Sequence, residues 1–151
     1  MSMYRENVVA VVISLIAILF VIGGFASFSG LAAYNNVLML ASEKDVFAPS
    51  DVLGVEVVVN LDTVLADETL TLALDGSVFD VVNLKDYAAS NNLRYSVAER
   101  NGVSVVYLGE PVRVHLAQYV DLSQVSPGKH SLAARLDRSN VEVQETFRIS
   151  S

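Results

Sequence analysis

The chain has 151 residues, a formal net charge of −7, 52% hydrophobic residues and neither cysteine nor tryptophan. Its mean hydropathy is +0.44 although 18% of its residues are charged, a pairing that implies apolar residues gathered in one place. Without cysteine there is no disulfide framework, thiolate metal site or cysteine nucleophile. Scattered basic residues in an acidic chain also leave no stripe to track phosphates, which argues against nucleic acid as a partner.

In chain order, residues 1–7 form a short tail bearing Arg5 and Glu6, after which 36 residues, 7–42, carry no charged side chain. Residues 8–28 read VVAVVISLIAILFVIGGFASF, with Ser14 and Ser27 the polar members. About 20 such residues cross a ~30 Å hydrocarbon core as a helix, because a lone span must satisfy its amides internally. A transmembrane helix over 8–28 is therefore expected, with the lipid bilayer as first partner. Arg5 beside the span is the topogenic charge, placing the N-terminus in the cytoplasm and the rest of the chain outside. The competing reading is a cleaved signal peptide and a secreted product. Gly24-Phe25-Ala26 and Ser27-Phe28-Ser29 both offer small residues at cleavage positions.

Gly23, Ala26, Ser27, Gly30 and Ala33 follow spacings of three and four. They form a candidate helix-packing face for self-association or for a partner's helix; the alternative is the ordinary abundance of small residues in such segments. Over residues 31–42, Leu31, Tyr34, Val37, Leu38 and Ala41 also fall on one helical side. Residues 29–50 are thus expected as a stalk and linker, helical at first unless Asn35-Asn36 ends the helix at the interface. Nine basic and sixteen acidic residues follow within 43–151, which carry the whole −7.

From Asp51 the period becomes two. Val55, Val57 and Val59 alternate with Glu56, Val58 and Asn60, and Leu70, Leu72 and Leu74 alternate with Thr69, Thr71 and Ala73. Further runs contain Val103, Val105 and Tyr107; Val112, Val114 and Leu116; Leu132, Ala134 and Leu136; and Val141, Val143 and, after a shift, Phe147 and Ile149. Asp75-Gly76, Asn101-Gly102, Gly109-Glu110-Pro111 and Ser126-Pro127-Gly128 supply turns. Seven or eight short strands so spaced indicate a sandwich or barrel. Residues 83–92, NLKDYAASNN, interrupt them with a short helix that places Leu84, Tyr87 and Ala88 on one face. Residues 51–151 are expected as a single all-β ectodomain.

The stretch VSPGKHSLAARLDRSNVEVQETFRI resembles the last two strands of immunoglobulin-like modules in prokaryotic surface proteins, archaeal ones included. LGVEVVVNLDTVLADETLTLALDG is similar to the first hairpin of such modules. The resemblance covers residues 52–151. It implies an immunoglobulin-like antiparallel β-sandwich and specifies architecture, not activity; the leading expectation is a binding or structural module at the cell surface, held behind a signal anchor and without a cofactor.

The residues suited to chemistry are few. His115 and His130 lie in strand patterns without a neighbouring ligand, so a metal site needs them to meet in space. Asp62, Asp67, Glu68, Asp75, Asp80 and Asp137 cluster in loops, where oxygen ligands for calcium are conceivable but no Asp-x-Asp-x-Asp-Gly series occurs. No nucleophile elbow or phosphate loop is present, and a non-enzymatic module is expected. Tyr87, Tyr95, Tyr107 and Tyr119 are candidates either for recognition or for rim packing.

Two other families share the layout. Copper-binding oxidase subunits also place a β-domain after a membrane helix, but they need a thiolate ligand that is absent here. Type IV pilins join a long apolar helix to a β-rich head; here Glu6-Asn7 precedes Val8 without the glycine that ends their leader. A pilin-like filament subunit and an accessory subunit of a membrane complex stay as alternatives to the surface module.

Overall fold

The computed structural model describes residues 32–34, 37–116 and 120–151. The expected span over 8–28, Arg5, and Gly23, Ala26, Ser27 and Gly30 lie outside these residues. Among the described residues no helix is long and apolar enough to cross a membrane.

The fold is mostly β with one short helix. Twelve strands run β1 Ala32–Tyr34, β2 Leu38–Ser42, β3 Val46–Phe47, β4 Val55–Val59, β5 Thr63–Leu65, β6 Thr69–Leu74, β7 Ser77–Asn83, β8 Tyr95–Arg100, β9 Val103–Leu108, β10 Val112–Leu116, β11 Gly128–Leu136 and β12 Val141–Ile149, with helix α1 Leu84–Ser90 between β7 and β8. They form a four-stranded sheet β1-β2-β4-β10, a five-stranded sheet β3-β12-β11-β6-β7 and a three-stranded sheet β5-β9-β8. The pairings are antiparallel except β3 with β12, which is parallel. This arrangement is consistent with an immunoglobulin-like sandwich.

The two-residue period explains the layers. Leu38 and Leu40 of β2, Val55, Val57 and Val59 of β4, Leu70 and Leu72 of β6, and Leu132, Ala134 and Leu136 of β11 are buried in one cluster. Phe47 and Phe147 meet edge to face there, with ring centroids 5.4 Å apart, the arrangement that the ring quadrupoles favour. Two hairpins carry the turns expected of them. Asp75-Gly76 (φ 50° and 82°) and Asn101-Gly102 (φ 52° and 76°) hold positive φ at both central positions, as a type I′ turn requires.

Helix α1 starts where Asn83 Oδ1 accepts the Asp86 N–H at 3.0 Å and buries Leu84 and Ala88. It stops at Asn92, whose φ of 54° lets the Leu93 N–H return to the Ala88 carbonyl at 3.0 Å.

Four expectations need correction. The stalk expected over 29–50 is strand in its described part, so the β-domain already includes β1, β2 and β3 ahead of residue 51. Leu38 fits a two-residue alternation with Leu40 as well as a helical spacing with Ala41, and tertiary pairing with β4 decides between them. Ala33 lies in β1, so it shares no helical face with residues 23–30. The expected first hairpin over 53–76 is instead a crossing: β4, β5 and β6 belong to three different sheets. Finally, β12 has no shift between Val143 and Phe147. Its pairing with β11 is unbroken, and that continuity turns Glu145 inward.

Candidate functional site

Polar residues gather at four places. In the first, Asp75 from the β6–β7 turn meets His130 of β11. His130 Nδ1 lies 2.6 Å from Asp75 Oδ2, and Nε2 lies 2.7 Å from the Ser126 carbonyl. Asp75 Oδ1 also accepts the Ser131 N–H at 2.8 Å. The hydrogen bond to Asp75 holds His130 above the ordinary histidine value, against the opposing effect of burial. The His130 bond and the Ser131 amide hold Asp75 below the ordinary carboxyl range. An Asp–His pair of this kind orients a catalytic base when the second nitrogen faces a nucleophile. Here that nitrogen faces a backbone carbonyl, so the pair fastens the loop before β11 to the β6–β7 turn.

The second place is the β11–β12 turn. Glu68, 1% exposed, accepts the Arg138 N–H at 2.8 Å, the Ser139 N–H at 2.9 Å and the Ser139 hydroxyl at 2.6 Å. Beside it Asp137 accepts the hydroxyls of Thr69 and Thr71 and the Arg135 Nε–H. Burial pushes Asp137 up, but the two hydroxyls and the guanidinium outweigh it and hold its carboxyl below the usual range. Arg138 also pairs with Asp67. Buried carboxylates need such donors, and these oxygens are spent on the fold.

The third is on the outward side of the four-stranded sheet. Glu56 of β4 is buried despite its outward position, with Arg113 Nη1 at 3.2 Å and His115 Nε2 at 3.8 Å from its Oε1. His115 and His130 thus sit in different sheets with different acids. Among the described residues no group of three or more His, Asp or Glu side chains is placed to hold one metal ion.

The fourth is Glu145, 4% exposed. Ser42 Oγ lies 2.7 Å from Glu145 Oε1 and 2.7 Å from the Lys44 carbonyl. Glu145 Oε2 is buried with no hydrogen-bond partner. Burial pushes the Glu145 carboxyl up, more than hydrogen bonds from Ser42 lower it. The apparent shift in the β12 pattern concealed this residue from sequence reasoning, although an acid at an inward parity was the available signal.

Several large apolar side chains are exposed on the strands. Val78 and Val81 of β7, Tyr95 and Val97 of β8, Val103 of β9 and Leu65 of β5 are exposed. β7 and β8 are edge strands, but they differ. The pairing of β7 with β6 shifts register between Leu72 and Ala73, where Phe79 of β7 is skipped, and β7 carries Asp80 in mid-strand; both discourage edge pairing. β8 is regular from Tyr95 to Arg100, and its two charges, Glu99 and Arg100, stand together at the hairpin end. In its two-residue hairpin, Arg100 and Val103 exchange hydrogen bonds, so Ala98 and Ser96 also bond to β9. Tyr95, Val97 and Glu99 therefore turn their amides and carbonyls to the open edge.

Of the tyrosines, Tyr87 donates its hydroxyl to the Arg113 carbonyl at 2.9 Å, a rim position. Tyr107 lies beneath the Arg100 guanidinium, 5.5 Å from the ring centroid. Tyr119 lies outside the described residues.

No family model matches the chain, and no curated protein does. Among solved structures, the CARDB domain of PF1109 from Pyrococcus furiosus, determined by solution NMR, is similar at 13% identity and a TM-score of 0.49. The match covers 76% of this chain and 93% of that one.

Proposed function

We propose that the protein is a membrane-anchored, non-enzymatic surface module that takes a protein partner along its β8 edge. The observation that carries this is the contrast between the two long edge strands: β7 is blunted by Asp80 and a register shift, while β8 leaves Val97 49% exposed on a regular, unpaired edge. An extended segment added there gains main-chain hydrogen bonds from Tyr95, Val97 and Glu99 and apolar contact with Tyr95 and Val97. The Asp–His pair and the buried Glu68 have their partners within the fold. The uncharged 8–28 segment would hold the domain at the bilayer with its N-terminus inside.

The test is site-specific photo-crosslinking of the full-length chain in its native membrane. A photoreactive residue at Val97 is expected to yield a discrete adduct that the same residue at Val81 does not. Equal adducts at both positions, or none at Val97, overturn the binding reading. N-terminal sequencing of the same preparation is expected to return Met1 or Ser2; a start near Ser27 overturns the anchor.

A further inference from the structure

We propose that Glu145 is kept as a neutral carboxylic acid whose proton bridges β12 to Ser42 of β2, so that ionisation of this one group unlocks the seam between the five-stranded and four-stranded sheets. The proton count at Ser42 carries the proposal. Its hydroxyl stands 2.7 Å from two oxygens, Glu145 Oε1 and the Lys44 carbonyl, and has one proton to give. With Glu145 ionised, one of those contacts is an oxygen–oxygen approach without a hydrogen between. With Glu145 protonated, Oε1–H donates to Ser42 Oγ and Ser42 Oγ–H donates to the Lys44 carbonyl, so each short contact contains a proton.

The unpartnered Oε2 points the same way. A buried carbonyl-type oxygen without a donor costs far less than a buried anionic oxygen without one. Among the described residues no cation pairs with Glu145. On β11, Leu132 stands opposite it, and the nearest titratable residue on that inward face is His130, already engaged by Asp75. After β2 come Glu43, Lys44 and Asp45, and the Lys44 ammonium is directed to Asp51 at 2.9 Å. On β12 itself Glu142 and Arg148 occupy the alternate, outward parity. Neither β1 nor β2 contains a charged residue. Desolvation thus acts on Glu145 without an opposing positive charge, which favours the protonated form.

Release of the proton to solvent leaves a carboxylate facing Leu132, the Ser42 hydroxyl and the Ser42 amide, donors whose effect burial outweighs. Ser42 then gives its one proton either to that carboxylate or to the Lys44 carbonyl, and the link from β12 through β2 to the β2–β3 connection is broken at one point. Because the folded group binds its proton more tightly than the unfolded one, its contribution is whole at acid pH and is lost as pH rises through the folded value.

The experiment is carbon-13 NMR of the full-length chain labelled at its glutamate carboxyls, with Glu145→Gln assigning the resonance, together with melting of both proteins across pH. The Glu145 carboxyl is expected to titrate above the ordinary value of 4.5. The Gln variant, whose amide reproduces the neutral acid's donor, is expected to fold and to gain on the parent as pH rises from 4 to 8, by about 5 °C in Tm. A carboxyl that titrates in the ordinary range, melting curves that stay parallel, or a Gln variant that fails to fold would each overturn the proposal.

Discussion

His130 and Asp75, 55 residues apart in sequence, hold each other at 2.6 Å and tie the start of β11 to the β6–β7 turn. The other imidazole nitrogen rests 2.7 Å from the Ser126 carbonyl. Both neighbours are acceptors, so both hydrogen bonds exist together only when the ring carries two protons. The pair is an imidazolium–carboxylate latch, and its pH dependence has two limits.

His130 is held above its ordinary 6.5, so its contribution is whole below that value and is lost as pH rises through the folded pKa. Asp75 is held below its ordinary 3.8, so its contribution is whole above that value and is lost as pH falls through the folded pKa. Asp75→Asn should therefore destabilise most between these values. Since the Asp75 side chain is about half exposed, the cost should be about 1 kcal/mol, below what a buried bond to a charged group contributes. Thermal melts from pH 3 to 9 check this; a penalty that stays constant across the range rules out the latch.

Glu68 is the more demanding anion because three protein donors converge on it. Glu68→Ala strands the Arg138 and Ser139 amides and should cost about 3 kcal/mol. Hydrogen exchange should quicken at Arg138 and Ser139 before it does in β11 or β12. Uniform loss of protection would mean that the turn is not the element Glu68 supports.

Gly102 gives a clean measure of backbone cost. A Cβ placed there meets nothing within 4 Å, while φ is +76°. Gly102→Ala should thus lose about 1 kcal/mol through conformation alone. A urea titration with unchanged slope and a lower midpoint is the expected result, and a loss of several kcal/mol would show that the open space around the turn is misjudged.

Core and edge should separate cleanly. Leu72 is fully buried on β6, and Leu72→Ala should cost about 3–5 kcal/mol in denaturant titration, as such cavities do. Val97→Lys on the β8 edge should change stability by less than about 0.5 kcal/mol and abolish the Val97-side crosslinked complex. A charged edge that still forms the complex would move the binding surface elsewhere.

Much of the fold was legible in the sequence, and for physical reasons. Asp75-Gly76 and Asn101-Gly102 turn where few other residue pairs can, and the alternating β11 and β12 runs pair along their length. Helix α1 followed from Leu84, Tyr87 and Ala88. What escaped depended on partners distant in sequence. Residues 38–42 satisfy both a helical and a strand period, and β4 settles the matter from beyond local reach. The crossing of β4, β5 and β6 between sheets leaves no mark on the alternation within each strand. Glu145 was read as an interruption because an acid inside a core makes sense only once Ser42, 103 residues away, stands beside it.

The parallel pairing of β3 with β12 joins the leading part of the domain to its last strand. The Arg148 amide bonds to the Asp45 carbonyl at 2.9 Å and the Ser150 amide to the Phe47 carbonyl at 2.8 Å. A force that draws β3 and β12 in opposite directions along their common axis strains these bonds together, not one after another.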